Sequence, residues 1–256
     1  MLTHELLLRE RQSLIIQRLK NADRVIAADL AEEFNVSEDT IRRDLREMAA
    51  AGLCERVYGG ALPVSIKPTN LAERVKAEPE RKMKVARAAV SLIENGMLVF
   101  LDAGSTNLAI AKCIPAGLHL TIATNSPSIA NELFDMPNVE LIMIGGRVDR
   151  KVGAAIGSVA LQAASGLRPD LCILGACGLD KDAGITAFDI EDAEFKQAIT
   201  LRSRKVLVAV LNEKLGTAAA YSVLPIGGCD YLAVEADFDA GMAAIFATGK
   251  TRIVRA

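Results

Sequence analysis

Apolar residues near the start of the chain recur at helical spacing and predict three helices. The first is expected from Leu6 to Lys20, the second from Val25 to Phe34 and the third from Glu38 to Ala50. Ser37 is a suitable N-cap for the third helix, and Gly52 is expected to end it. On the first helix, the residues suited to one apolar face are Leu7, Leu14, Ile15 and Leu19.

The segment after the third helix predicts a small hairpin. The sequence LCERVYGGALPV, residues 53–64, has two short extended pieces around Gly59 and Gly60. Three helices and a hairpin within residues 1–62 are the layout of a winged helix-turn-helix domain. Prolines punctuate the polar residues that follow, which predicts a linker over 63–79.

From residue 80 to 256 the pattern predicts an α/β domain. A helix is expected from Glu80 to Asn95, ending at Gly96, and continuous apolar runs then alternate with helical segments. Such runs indicate a mostly parallel sheet covered by helices on both faces. The apolar runs are MLVFLDA, HLTIAT, VELIMIGG, DLCILGA, KVLVAVL and DYLAVEA. The helical segments are Ser126–Phe134, Ser158–Gly166, Glu191–Arg204 and Phe238–Thr248.

Composition narrows the class of protein. The 256 residues are 51% hydrophobic and carry a net charge of −2, which excludes a uniformly basic nucleic-acid binder but permits a local basic surface. No apolar run is long enough to span a membrane and no leader is visible, so we expect a soluble, cytoplasmic protein. The five cysteines form no CxxC pair, so reduced thiols are expected and no metal site is assigned.

The third helix carries arginines opposite its apolar face. At about 100° per residue, Leu45 and Met48 fall beside Ile41. The residues opposite are Asp39, Arg43 and Arg46, with Thr40 and Arg42 on the flanks. This arrangement suits a recognition helix, whose first turns reach base edges and phosphates. An ordinary solvated face is the alternative, because residues 1–60 hold nine Lys or Arg against eleven Asp or Glu.

The stretch FLDAGSTN, residues 100–107, predicts a strand that ends in a small polar loop and opens a helix. The first amide groups of a helix lack intrahelical partners, and the helix dipole favours an anion there. The loop is therefore a candidate phosphate site. For the loop alone, a simple turn is an equal alternative.

Residues 9–61, including the segment VSEDTIRRDL and the GGA after the wing, closely resemble the N-terminal domain of the DeoR/GlpR family of bacterial transcription regulators. The resemblance implies operator binding by Thr40, Arg42 and Arg43. Ser37, Arg56 and Tyr58 are lesser candidates on the same grounds, and Arg46 joins them by its position on the helix.

The family resemblance continues to about residue 235 and implies an effector domain similar in fold to ribose-5-phosphate isomerase and coenzyme A transferases. It implies a phosphate site built from Asp102, Gly104, Ser105, Thr106, Asn125, Ser126 and Lys214. The weaker effector candidates are Gly145, Gly146, Asp189, Glu191 and Lys196. Taken alone, Lys214 could instead be an ordinary surface lysine. Asp189 and Glu191 could instead be acids that complement the dipole at a helix N-terminus.

Two positions depart from the family pattern. Cys177 stands where members commonly carry an acid, and Leu211 precedes Asn212 and Glu213 where they commonly carry DSSK. An isomerase needs a carboxylate base, which a neutral thiol replaces poorly. We therefore assign no catalytic residue and no cofactor.

The function expected from the sequence is a regulator that represses a carbohydrate or polyol catabolic operon. Its expected partners are double-stranded operator DNA, a phosphorylated sugar or polyol, and a second copy of the chain, because operators are usually read as paired half-sites. The alternatives are a sugar-phosphate isomerase with an accessory DNA-binding-like module, and an N-terminal module that serves protein interaction only.

Overall fold

A computed structural model of the protein describes residues 7–21, 24–51, 53–62, 69–238, 241, 243, 246 and 250–256. Its contacts divide the chain into two units, with the boundary between Lys67 and Pro68. Among the described residues, no helix is long and apolar enough to cross a membrane.

The first unit has the predicted three helices and hairpin. Its elements are α1 (Leu8–Asn21), β1 (Val25–Ile26), α2 (Ala27–Phe34), α3 (Glu38–Ala50), β2 (Glu55–Val57) and β3 (Gly60–Leu62). The helices enclose one apolar core, to which α3 contributes the predicted stripe of Ile41, Leu45 and Met48. Gly52, predicted to end α3, lies outside the described residues.

The prediction for the buried face of α1 was partly wrong. Ile15 and Leu19 are buried, but Leu7 is 71% exposed and Leu14 is 36% exposed. The third position of the buried stripe, one turn before Ile15, is occupied by Arg11. A charged residue on that face is invisible to a search for apolar periodicity.

Arg11 is buried because Asp44 of α3 neutralises it. The Arg11 Nε donates to Asp44 Oδ2 at 2.5 Å, and Nη2 donates to Oδ1 at 3.1 Å. Both side chains are less than one-tenth exposed. This two-pronged ion pair joins α1 to α3 inside the core of the first unit.

The second helix begins two residues later than predicted, because Val25 and Ile26 form a strand. They pair with β3 in the order β1-β3-β2. The approach is close: a Cβ on Gly60 would lie 1.9 Å from the carbonyl oxygen of Val25. Only glycine fits there. Because Gly60 has no side chain, β1 can pair with β3 and adds a third strand to the predicted hairpin.

The second unit is built on a seven-stranded sheet in which every neighbouring pair is parallel. In spatial order its strands are β15 (Arg252–Arg255), β14 (Tyr231–Val234), β12 (Val206–Ala209), β9 (Leu171–Leu174), β4 (Leu98–Leu101), β5 (Leu120–Thr124) and β6 (Val139–Met143). The helices are α4 (Leu71–Lys76), α5 (Pro79–Val90), α6 (Ser105–Cys113), α7 (Pro127–Leu133), α8 (Ser158–Ala164) and α9 (Ile190–Arg202). One apolar cluster covers each face.

Antiparallel strands surround the carboxyl edge of this sheet. They are the pair β7 (Arg147–Asp149) and β8 (Ala154–Ile156), and the set β10 (Gly178–Asp180), β11 (Gly184–Ala187) and β13 (Tyr221–Leu224). Two 3₁₀ turns, Asn212–Lys214 and Ile226–Gly228, complete the described elements.

All six predicted apolar runs form strands of the parallel sheet, so the predicted fold class is confirmed. The seventh strand, β15, was missed because its RIVR sequence is short and has a charged residue at each end. The antiparallel strands were missed for the same reason of length. The predicted helix Phe238–Thr248 lies largely outside the described residues.

Part of the predicted linker is helical and belongs to the second unit. The helix α4 begins at an Asn70 cap, whose Oδ1 accepts from the Glu73 amide at 2.9 Å while its Nδ2 donates to Glu73 Oε1. Asn70 followed three residues later by Glu73 is a helix-start signal that the proline-based interpretation overlooked, although here Glu73 accepts from the side chain of Asn70 and not from its backbone amide. Leu71 is buried against Gly153, where a Cβ would lie 2.3 Å from Leu71 Cδ2.

The buried Arg11–Asp44 pair leads to the first prediction. Asp44→Ala leaves the Arg11 charge buried without its carboxylate, so we expect a loss of about 3–5 kcal/mol in the unfolding free energy of the first unit. Urea unfolding followed by circular dichroism measures the loss. Asp39→Ala, an exposed acid of the same helix, is the control and is expected to change the free energy by less than about 0.5 kcal/mol. Equal effects of the two substitutions would contradict the prediction.

Candidate functional site

The first candidate surface is the exposed face of α3. The helix starts as predicted: Ser37 Oγ accepts the Thr40 amide at 3.1 Å and lies 2.8 Å from Thr40 Oγ1. Asn35 turns the chain between α2 and α3 with φ of 52°, a left-handed conformation that asparagine tolerates well. The N-terminal end of α3 is therefore presented by a short, well-defined turn.

Arg42, Arg43 and Arg46 are all exposed on α3. Arg42 pairs with Glu38 at 2.7 Å and Arg43 with Glu47 at 3.3 Å, each one turn away on the same helix. Exposed pairs of this kind are worth little, so a phosphate can replace the carboxylate at small cost. Arg46 has no ionic partner among the described residues.

The hairpin presents the two remaining DNA-binding candidates. Arg56 on β2 is exposed, and Tyr58 at the turn is fully exposed. An aromatic residue with no packing partner among the described residues contributes nothing evident to the core. Its exposure suits contact with another molecule.

The second candidate surface is the carboxyl edge of the parallel sheet. Strands β12, β9, β4 and β5 are consecutive neighbours, and the loops after β12, β4 and β5 carry predicted residues. Asp102 to Thr106 follow β4, Asn125 and Ser126 follow β5, and Lys214 follows β12. In open parallel sheets, ligands bind outside this edge.

A buried charged triad underlies that edge. Lys196 Nζ lies 2.9 Å from Asp102 Oδ2 and 2.6 Å from Asp192 Oδ1, and all three residues are buried. Burial alone lowers the pKa of Lys196, but its two carboxylate neighbours outweigh burial and raise it above the usual value. Burial raises the pKa of Asp192, although Lys196 opposes that shift. Lys196 is thus a charged tie between α9 and the loop after β4.

Asp102 also organises the loops around it. Its Oδ2 accepts from the Gly175 amide at 2.8 Å, which joins the loop after β4 to the loop after β9. A Cβ on Gly175 would lie 2.3 Å from the carbonyl oxygen of Ala103, so the two loops approach as closely as glycine allows. The other oxygen, Asp102 Oδ1, is buried without a hydrogen-bond partner.

Asn125 and Ser126, predicted to bind phosphate, make hydrogen bonds within the protein. Asn125 Oδ1 accepts from the Ala103 amide at 3.2 Å, and Ser126 Oγ donates to the Gly153 carbonyl at 3.1 Å. Both side chains are fully buried. These contacts hold the loop after β4 in place, and a direct contact with a ligand stays a prediction.

Gly104, Ser105 and Thr106 form the accessible part of the loop. All three are partly exposed, and α6 begins at Ser105 without a side-chain cap from Gly104. Asn107 fixes the first turn from beneath, since its Nδ2 donates to the carbonyls of Asp102 and Ile173 at 2.8 and 3.1 Å. These contacts hold the first turn of α6 in place, and the amides of Ser105 and Thr106 make no hydrogen bond to the described residues.

Lys214 lies in the 3₁₀ turn after β12 and is partly exposed. Its Nζ makes no hydrogen bond to the described residues. Burial, with a further contribution from the nearby Arg74 charge, lowers the pKa of Lys214, while Cys177 and Glu213 oppose that shift. An isolated bridge between Leu179 and Leu215 brings the turn of Lys214 next to β10, the strand that follows Cys177.

Apart from Lys196, the weaker candidates make no hydrogen bond or ion pair with Asp102 or Lys214. Gly145 and Gly146 are exposed after the edge strand β6. Glu191 pairs with Arg147, and Asp189 caps α9 by accepting the Asp192 amide at 3.1 Å. For Asp189 the alternative interpretation, a helix N-terminal acid, accounts for this contact. Lys196 differs from the other weaker candidates because it ion-pairs with Asp102 directly.

Sequence reasoning missed three residues at this edge: Asp192, Asn107 and Arg74. Asp192 stands four residues before Lys196, a spacing that puts both on one helix face and was available as a signal. Arg74 was assigned to the linker. Leu211, one of the two positions that depart from the family pattern, is buried in the core. No cluster of potential metal ligands occurs among the described residues.

An exposed arginine face on a winged helix-turn-helix, joined to a separate α/β unit with a polar edge, defines a class of DNA-binding regulators with a sensor domain. Family comparison agrees. A model for the DeoR-like helix-turn-helix domain matches residues 11–67, and one for the DeoR C terminal sensor domain matches residues 77–236. The chain belongs to the DeoR family and is a DNA-binding transcriptional regulator, not an enzyme.

Three relatives show how far the similarity extends. The chain is 35% identical over 228 residues to the glycerol-3-phosphate regulon repressor of Escherichia coli strain K12. The aligned region covers 89% of this chain and 90% of the relative. It is 31% identical to the HTH-type transcriptional regulator GolR of Listeria innocua, over 88% of this chain and 90% of the relative. It is 30% identical to the HTH-type transcriptional repressor GlcR of Bacillus subtilis, over 88% of each chain.

Solved structures resemble the chain more distantly. Ribose 5-phosphate isomerase A from Methanocaldococcus jannaschii matches 54% of this chain and 55% of its own length, with 16% identity and a TM-score of 0.39. This likeness says nothing about activity.

The buried triad leads to the second prediction. Lys196→Met leaves Asp102 and Asp192 facing each other without a cation, so we expect the second unit to lose about 3–5 kcal/mol of unfolding free energy at pH 7. The loss should shrink toward pH 5, because the pKa of Asp192 is already raised and its carboxyl can then take up a proton in the folded state. Urea unfolding at both pH values measures it.

The control for this experiment is Lys112→Met, which removes an exposed lysine 4.0 Å from Glu132. We expect little change from it at either pH. A loss for Lys196→Met that is the same at pH 5 and pH 7 would show that the two acids do not regain stability by protonation.

Proposed function

We propose that this protein represses an operon for the catabolism of a carbohydrate or polyol, and that a phosphorylated intermediate of that pathway controls its binding to DNA. The observation that carries the proposal is the partly exposed start of α6, whose first amides have no partner among the described residues, together with the Lys214 ammonium, which has none either, at the same sheet edge. Relatives support the choice of pathway, since one is named for the glycerol-3-phosphate regulon and another, 29% identical, for the aga operon.

The effector's phosphate group would bind at the start of α6. Amides and hydroxyls of Ser105 and Thr106 would donate to its oxygens, and the helix dipole favours its charge. Lys214 would supply a cation from the neighbouring loop. Because the ammonium of Lys214 is partly buried, a bound dianion would offset the desolvation that its present surroundings leave uncompensated.

The sugar or polyol end would meet the Asp102 carboxylate. Asp102 Oδ1 is a buried acceptor with no partner, so a hydroxyl donor is the complementary group. A second carboxylate at that point would be repelled. The site therefore favours a hydroxylated phosphate ester over a phosphorylated acid.

Operator binding would follow from α3 lying in the major groove. Thr40, Arg42 and Arg43 stand on the first two turns, where recognition helices contact bases and phosphates. Arg46 would contact the backbone further along, while Arg56 and Tyr58 would act from the hairpin. We also propose a homo-oligomer, since one such domain reads only a half-site.

The effector would act by binding more tightly to one arrangement of the paired DNA-binding units than to another. A ligand shifts operator affinity only by its differential affinity for the two arrangements, typically about 1–3 kcal/mol. The segment between the two units, or the contact between subunits, must carry that difference.

The third prediction tests operator binding. Arg43→Ala removes one phosphate-neutralising charge, so the slope of log K against log salt concentration for a DNA fragment from upstream of its own gene should fall by about one unit. Gel retardation at several salt concentrations measures the slope.

Arg18→Ala is the matched control, because Arg18 is an exposed arginine of the same unit that pairs with Glu33 away from α3. Its slope should equal that of the wild type. An unchanged slope for Arg43→Ala and also for Arg42→Ala would mean that another face of the unit meets the DNA.

The fourth prediction tests the effector site. Thermal-shift measurements with glycerol 3-phosphate, glucose 6-phosphate and fructose 1-phosphate should reveal a phosphate ester that raises the melting temperature of the wild type. Lys214→Ala should weaken its binding by about tenfold or more, as expected for loss of a hydrogen bond to a charged group. Lys112→Ala, an exposed lysine on α6, should bind as the wild type does. The proposal fails if no ester shifts the wild type.

A further inference from the structure

Exposed cations gather at the amino edge of the parallel sheet, the edge opposite the candidate effector site. The second unit, residues 68–256, holds twenty Lys or Arg against twenty-one Asp or Glu, so its overall charge does not account for them. Five exposed Lys or Arg stand at or just before the starts of neighbouring strands, and we call them the amino-edge cations. They are Arg168 before β9, Arg204 and Lys205 before β12, Lys250 before β15, and Arg252 at the first position of β15.

The main chain fixes the spacing of these residues. Strands β9, β12, β14 and β15 are consecutive parallel neighbours, so their starts lie side by side. The Arg204 amide donates to the Pro169 carbonyl and the Arg252 amide to the Asp230 carbonyl, each at 2.8 Å. Three strand spacings of about 4.8 Å make a row roughly 14 Å long. The major groove of DNA is about 12 Å wide, so the row is long enough to meet phosphates on both of its sides.

The two acids at these four strand starts are already occupied. Asp170 Oδ2 accepts the Leu98 amide at 3.0 Å. Asp230 Oδ2 accepts the Val206 amide at 2.9 Å, and its Oδ1 pairs with Lys205 at 3.0 Å. The side chains of the other four amino-edge cations make no hydrogen bond or ion pair with any described residue. Four like charges at this spacing repel one another, and a row of phosphates would replace that repulsion by attraction.

The first unit supplies a reason for a second cationic surface. Residues 1–60 hold nine Lys or Arg against eleven Asp or Glu. Phosphate contacts provide essentially all of the sequence-independent affinity of DNA-binding proteins, and a unit of net negative charge gains little of it beyond α3 and the hairpin. Because both units belong to one chain, even a weak contact by the second adds to the first through a high effective concentration.

We propose that the amino edge of the second unit is an additional DNA-contact surface, which binds the phosphate backbone of the duplex without reading its sequence. Three of its four unpaired cations are arginines, whose two-pronged donors match phosphate oxygens. The inference goes beyond the proposed function, because neither the effector nor the bases contacted by α3 enter it.

A second copy of the chain is the competing occupant of this edge. Leu201, near the end of α9 and three residues before Arg204, is 83% exposed and offers one apolar contact. A twofold contact, however, places the same patch on both sides of the interface. The amino-edge cations of two copies would then face each other and repel. The charge of the edge therefore favours DNA as its occupant.

The test uses the full-length chain and two triple variants that remove the same number of charges. Arg168→Gln, Arg204→Gln and Arg252→Gln together remove three unpaired amino-edge cations and keep the Lys205–Asp230 pair. The matched control combines three substitutions of exposed cations on α4 and the turn between β7 and β8, which are Lys76→Gln, Arg150→Gln and Lys151→Gln. Gel retardation at several salt concentrations uses the DNA fragment from upstream of the gene and a scrambled duplex of equal length. Melting temperatures show whether each variant folds.

We expect the slope of log K against log salt concentration to fall by about two to three units for the amino-edge variant, and the control to match the wild type. Affinity for the two duplexes should fall by the same factor, about tenfold or more at about 0.15 M salt, because phosphate contacts carry no sequence information. An unchanged slope overturns the inference. If the triple variant does not fold, Arg204→Gln decides, with an expected fall of about one unit.

Two further results separate this inference from the others. An unchanged slope with an altered oligomeric state in analytical ultracentrifugation would assign the amino edge to a contact between copies of the chain, and that also overturns the inference. If Arg43→Ala leaves the preference for the upstream fragment intact while the amino-edge variant lowers the slope, the proposed role of α3 fails and the amino-edge contact stands.

Discussion

The buried triad of Asp102, Lys196 and Asp192 is the contact on which the second unit's candidate site depends. One lysine joins α9 to the loop after β4, and Asp102 in turn holds the loop after β9 through the Gly175 amide. Three charges inside a protein are tolerated only when each has a partner at short range. Because the triad meets that condition, it fixes the loops from beneath while their amides and hydroxyls remain accessible above.

The two units use buried charge in the same way. Arg11 and Asp44 fix α1 against α3, which leaves the other side of α3 free to carry exposed arginines. In both units a charged pair replaces apolar packing at the place where a functional surface is anchored. Burial of an ion pair adds little net stability, but it admits one geometry, because a displaced partner leaves a bare charge. That selectivity suits surfaces whose donors must keep fixed positions.

Much of this architecture could be predicted from patterns along the chain. The six apolar runs identified six of the seven strands of the parallel sheet, and the Ile41, Leu45 and Met48 stripe identified the buried side of α3. The loops after those strands followed from the same pattern, since parallel strands end at one edge. The strand β15 and the short antiparallel strands of the second unit were missed, because none of them lies in an apolar run as long as those six.

What the sequence by itself determined was therefore the class of fold, the family, and which segments end at the candidate edge. Tertiary structure alone decided which polar side chains face inward. Asn125 and Ser126 hold the loops in place, Asp102 pairs with Lys196 across 94 positions of the chain, and Arg74, from the predicted linker, donates to the carbonyls of Lys151 and Val152. Local patterns record whether a residue is polar; only folding decides whether its partner is water, a ligand or another buried charge.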